Sequence, residues 1–133
     1  MMEAICVATA LLFAHCGQKA TLSWRHSIEK IVWEEDYRCS EGGLRLTEAR
    51  VRGTGAGMEP PPGAVFSDGA WHYTPEMAPL PEVQLRHSPY AATYTLCCDG
   101  RCQPLPDWLP GLPKEAVVTL QPCQVVSGDT RLP

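Results

Sequence analysis

From Thr21 to Cys39 apolar and polar residues alternate, and the alternation carries ionisable groups onto the apolar side. Leu22, Trp24 and His26 share one face of the first segment, against Thr21, Ser23 and Arg25. Downstream, Ile31, Trp33, Glu35, Tyr37 and Cys39 share a face, against Val32, Glu34, Asp36 and Arg38. Period two marks half-buried strands. A tight hairpin at Ile28–Lys30 puts His26 and Glu35 on the same face in either of two registers. One of these sets Glu35 opposite Trp24 and diagonal to His26, within reach of a long side chain. A carboxylate on an apolar face is costly unless paired, so it marks a structural tie or a site. A helix over Ser27–Arg38 is the rival reading, because Ile28, Ile31 and Val32 fit helical spacing, but Glu35 interrupts that stripe.

The pattern continues as an antiparallel meander over 20–27, 31–39 and 43–52, with Ser40-Glu41-Gly42-Gly43 as a turn. In the third segment the apolar parity switches from Leu44 and Leu46 to Ala49 and Val51, which predicts a bulge near Thr47-Glu48. Gly53 to Gly63 reads as a loop. Short strands are expected at 64–66, 70–73, 82–86, 92–98, 101–103 and 116–121, with Trp108 as a core plug in a loop between Pro106 and Pro110. Thirteen prolines and eleven glycines favour strands and turns over long helices. The expectation is an all-β chain, a small antiparallel β-sandwich or partly closed barrel of about eight short strands.

The length, 133 residues, suits a single β domain over 21–126, with a frayed tail at 127–133. Residues 1–20 differ in kind. Ala4–Ala14 is an uncharged apolar run that resembles the core of a secretory leader, with cleavage after Ala14 or Ala20, although Glu3 precedes it and no Lys or Arg does. It is too short to span a bilayer, so no transmembrane span is expected. Cys16 offers a lipid-anchoring alternative, and a buried N-terminal strand or helix is the other reading. A net charge of -4 without a Lys/Arg cluster argues against nucleic acid.

Five of the seven cysteines lie beyond residue 20. In Leu96-Cys97-Cys98-Asp99-Gly100-Arg101-Cys102, Asp99-Gly100 is a two-residue hairpin signal that sets Cys97 opposite Cys102, close enough for a disulfide. Cys98 faces the other way, toward Cys39 or Cys123 as a second partner. Free buried thiols and a zinc site are the alternatives, but the paired Cys-x-x-Cys spacing of zinc sites is missing. Disulfides and a leader together point to a periplasmic or otherwise exported protein.

Two constellations carry candidate chemistry. His26, Ser27, Glu29 and Glu35 join a second Arg-His-Ser triplet, Arg86-His87-Ser88. If both triplets end neighbouring strands, His26, Glu35 and His87 converge on a divalent metal, or orient a small anion beside Arg25 or Arg86. The bland reading makes His26 a satisfied core histidine and His87 a turn residue. The second is Gly53-x-Gly-x-Gly57, whose backbone amides suit an anion, but Pro60-Pro61-Pro62 forbids the helix that a dinucleotide fingerprint needs. No Gly-x-Ser-x-Gly or His-Glu-x-x-His is present, so the chemistry leans away from an enzyme and no cofactor is expected.

His26-Ser-Ile-Glu-Lys30 with Trp33-Glu34-Glu35, then Gly55-Ala-Gly-Met58, then Leu85-Arg-His-Ser88, resemble the bacterial domain-of-unknown-function family 1850. His26, Ser27, Glu29, Glu35, Gly55, Gly57 and Met58 match its blocks. The resemblance implies a small exported protein, often encoded beside tripartite ATP-independent periplasmic (TRAP) transporters of the TAXI type. It thereby implies an accessory role at a solute-uptake system, with a transporter or solute-binding protein as partner. The expected contact surface includes the His26/Glu35 region and the Gly53–Gly63 loop. A metal-binding module or metal-assisted hydrolase built on His26, Glu35 and His87 is the competing expectation.

Overall fold

The computed structural model describes residues 2–25, 31–52 and 62–125, which form eleven strands and one single-turn helix. Two antiparallel sheets face each other, and neither closes into a barrel. The smaller has the order β2-β1-β11-β8, from Phe13–Gly17 (β2), Met2–Ala8 (β1), Ala116–Val125 (β11) and Val83–His87 (β8). The larger has the order β10-β9-β3-β4-β5-β7-β6. Its strands are Arg101–Pro104 (β10), Thr95–Cys98 (β9), Lys19–Arg25 (β3), Val32–Ser40 (β4), Gly43–Arg52 (β5), Ala70–Tyr73 (β7) and Val65–Ser67 (β6). The helix, Leu105–Trp108 (α1), lies where the sequence suggests a loop; the Trp108 indole N–H donates to the Leu96 carbonyl at 2.8 Å while its ring packs on the core.

Turn chemistry fixes the registers. Glu41-Gly42, Asp68-Gly69 and Asp99-Gly100 each have both residues at positive φ, the backbone that a two-residue hairpin demands and glycine supplies without strain. The parity switch in β5 is a true bulge: Asp36 pairs with Glu48 and Tyr37 with Leu46, leaving Thr47 as the extra residue. Its hydroxyl donates to the Asp36 carbonyl at 3.2 Å. That one insertion lets both halves of β5 turn their apolar residues inward.

The core lies between the sheets. Leu22, Tyr37, Leu44, Leu46 and Leu96 meet Ile5, Val7, Leu85, Val118 and Leu120, with Leu105 and Leu109 closing one end. The apolar run at the start of the chain has a place that a leader boundary at residue 20 does not anticipate. It forms β1, hydrogen-bonded on both sides to β2 and β11, with Ala4, Ile5, Cys6 and Val7 all buried. A strand buried on both faces has no alternation, so its sequence signal coincides with that of an apolar leader. No described helix is long and apolar enough to cross a membrane. The expected tail, 127–133, lies outside the described residues.

There are three disulfides: Cys16–Cys98 ties the smaller sheet to the larger, while Cys6–Cys123 and Cys97–Cys102 each link neighbouring strands of one sheet. Cys98 therefore bonds neither Cys39 nor Cys123, as its sequence surroundings suggest, but Cys16 on β2, which also occupies the sulfur considered for lipid attachment. Cys39 is the free thiol; it donates to the Ala4 carbonyl at 3.1 Å. The pairing changed because β1 and β2, with their own two cysteines, are part of the sandwich.

Candidate functional site

The aromatic end of the larger sheet is set by the β3–β4 register. Trp24 pairs with Trp33, so Glu35 lies opposite Leu22 and Ala49 rather than opposite Trp24. The shift is two residues, which preserves the face that parity predicts. The register formed stacks the two indoles, with ring centroids 6.4 Å apart and planes 11° from parallel. Tyr94, just before β9, closes on the other indole's neighbour: its ring lies 5.5 Å from that of Trp24.

Glu35 sits half-buried on the inner face of this sheet, and no helix runs through it. Its Oε1 accepts the Tyr37 hydroxyl at 2.8 Å. Tyr37 is 4% exposed. Burial first, and then the Glu35 hydrogen bond and charge, push its phenol far above the ordinary range. Tyr73 and Tyr94 are also raised, by burial and then by the Glu35 charge. Tyr37 is thus the phenol that stays protonated and donates to the acid.

Arg25 and Arg86, which begin the two Arg-His-Ser triplets, come together at one open cleft. Trp24, Arg25, Arg86, Ser88, Ala91, Ala92 and Tyr94 line a volume of about 310 Å³. Arg25 ends β3 and Arg86 lies near the exit of β8, so the two arginines come from different sheets. Ser88 closes a short turn by accepting the Tyr90 backbone N–H at 3.0 Å. His87, opposite Ala116, is half-buried, and its Nδ1 is buried without a hydrogen-bond partner among the described residues.

Of the residues singled out in the sequence, Ser88 therefore lines the cleft, His87 is its neighbour in β8, and Glu35 stands beside Tyr94's ring environment without lining it. His26, Ser27, Glu29, Gly55, Gly57 and Met58 lie outside the described residues. Among the described residues no three His, Cys, Asp or Glu side chains gather as metal ligands. Tyr94, Ala91 and Ala92 were not singled out in the sequence; the parity that sets Tyr94 with Leu96 and Cys98 was the available signal for the first.

The outer face of the same sheet carries a charged network that alternation alone does not disclose. Arg50 donates to both Asp36 oxygens at 2.7 Å, to Glu34 at 3.0 Å and to Glu48 at 2.8 Å, while Arg52 reaches Glu34 at 2.7 Å. His72 Nδ1 lies 2.9 Å from Glu48. Every charge in this network has an opposite neighbour, which distinguishes it from the cleft. A larger apolar cavity of about 660 Å³, lined by Leu11, Leu12, Pro113 and Val117 among others, opens on the smaller sheet; Glu35, His87 and Ser88 do not line it.

The model of a family described as a domain of unknown function, DUF1850, matches residues 20–105. No curated protein and no solved structure matches the chain.

Proposed function

The chain belongs to the DUF1850 family, and from that premise we propose that it is an exported, non-enzymatic binding module acting as an accessory of a periplasmic solute-uptake system of the TRAP, TAXI type. The observation that carries the binding reading is the cleft itself, where two arginines from opposite sheets meet the rings of Trp24 and Tyr94. Such a site offers fixed charge and flat apolar surface, which suits recognition. Three disulfides support an oxidising compartment. The resemblance of the His26, Trp33–Glu35 and Leu85–Ser88 blocks to transporter-associated proteins supports the accessory role.

The contact surface is the end of the sandwich that carries Trp24, Arg25, Arg86 and Ser88, with Glu35 behind it. Retention of the cognate transporter and its solute-binding protein on the immobilised full chain tests this. The expected result is retention by the wild type and loss in Arg86→Glu, a charge reversal at an exposed position. Equal retention by that variant, or none by the wild type, overturns the reading.

A further inference from the structure

We propose that the cleft between the end of β3 and the exit of β8 binds a small organic carboxylate with a flat apolar body. This rests on the binding-module reading and names the ligand class of that site. Arg25 and Arg86 are both exposed at the cleft, and among the described residues neither has a carboxylate within salt-bridge distance. Arg50 and Arg52 on the outer face are the contrast, since Glu34, Asp36 and Glu48 neutralise them. Two like charges brought to one cleft repel each other, and an anion between them relieves that repulsion. Guanidinium forks match a carboxylate in shape as well as in charge.

The remaining walls select the rest of the ligand. The Trp24 ring is held from one side by the Trp33 stack and meets Tyr94 at 55° on another, so its plane is fixed before any ligand arrives. With Ala91 and Ala92 these rings give a flat apolar surface. Ser88 Oγ already accepts the Tyr90 N–H, which leaves its own proton free to donate to a ligand oxygen. The volume, about 310 Å³, lies at the small end of ligand sites and suits a single-ring acid.

Benzoate is the probe, with benzamide as its uncharged counterpart and inorganic phosphate as an anion without an apolar body. Titrations are followed by calorimetry and tryptophan fluorescence on the oxidised full chain. Saturable benzoate binding is expected with a Kd on the order of 0.1–1 mM. Benzamide and phosphate are each expected to bind at least about tenfold more weakly, and Arg25→Ala and Arg86→Ala each to weaken benzoate by about tenfold or more. Both arginines are exposed, so circular dichroism should show the variants folded, and Arg86→Lys should recover part of the loss.

No saturable signal at about ten times the expected Kd range overturns the proposal. So does equal binding of benzamide, equal binding of phosphate, or unchanged benzoate affinity in the folded Arg25→Ala/Arg86→Ala variant. Failure here with intact transporter retention removes only the ligand class. Benzoate binding without transporter retention removes the accessory role and leaves this site standing.

Discussion

Replacing Arg50 by methionine isolates the charged network from the rest of the fold. The Arg50 side chain is 14% exposed and its three acids are 19% (Glu34), 30% (Asp36) and 38% (Glu48) exposed. Removing a buried partner outright costs about 3–5 kcal/mol, whereas an exposed pair is worth about 0.2–1 kcal/mol. The bidentate Asp36 contact belongs nearer the first range, while Glu34 keeps Arg52 and Glu48 keeps His72. The expected loss for Arg50→Met at pH 7 is therefore roughly 2–3 kcal/mol. Its pH dependence is specific. Burial by itself lifts the Asp36 carboxyl, but hydrogen bonds from Arg50 and Thr21 and the Arg50 charge outweigh it and hold it below its ordinary value. Glu48 is lowered by its hydrogen bonds to Arg50 and then His72. Depressed carboxylates stabilise the fold fully above their unfolded values, about 3.9 for Asp and 4.3 for Glu, and that stability fades as pH falls through the lower folded values. Urea unfolding of wild type and variant should thus show a gap that is constant from pH 7 to about 5 and shrinks to under about 1 kcal/mol near pH 2.5. A gap that does not change with pH, or one below about 0.5 kcal/mol at pH 7, refutes the electrostatic account.

Other outcomes follow from the sulfurs. The Cys6–Cys123 bond joins residues 117 apart in sequence. By the chain-entropy model Cys6→Ala/Cys123→Ala should cost about 4–5 kcal/mol, a fall in Tm of about 15 °C for a chain of this size; calorimetry showing a fall under about 3 °C would contradict it. With six cysteines bonded, unreduced protein unfolded in denaturant should take up one iodoacetamide, mapped by mass spectrometry to Cys39, and three or more adducts would refute the pairing. In the folded protein that alkylation should be slow, because burial and then the Glu3 charge raise the Cys39 thiol and suppress its thiolate.

The all-β class, the β3–β4–β5 meander, the bulge at Thr47 and the Asp99-Gly100 hairpin follow from local rules. Side-chain parity, a parity switch and turn residues at positive φ act over a few residues, so the chain displays them directly. The face occupied by Glu35 follows from parity for the same reason. Its partner does not, because parity survives a two-residue slip, and the stacking of Trp24 on Trp33 across strands selects the register. A buried strand at Ala4–Val7 was legible only as the alternative to a leader, and its partners and the Cys16–Cys98 and Cys6–Cys123 bonds were out of reach. A strand buried on both faces has no polar phase to read; Cys6 and Cys123, 117 residues apart, meet only when β1 pairs with β11, and Cys16 and Cys98, 82 apart, only when one sheet packs on the other. The cleft is the plainest case. The sequence supplies Arg25 and Arg86 in two matching triplets, but their convergence beside Trp24 and Tyr94 depends on packing one sheet against the other, which no local pattern encodes.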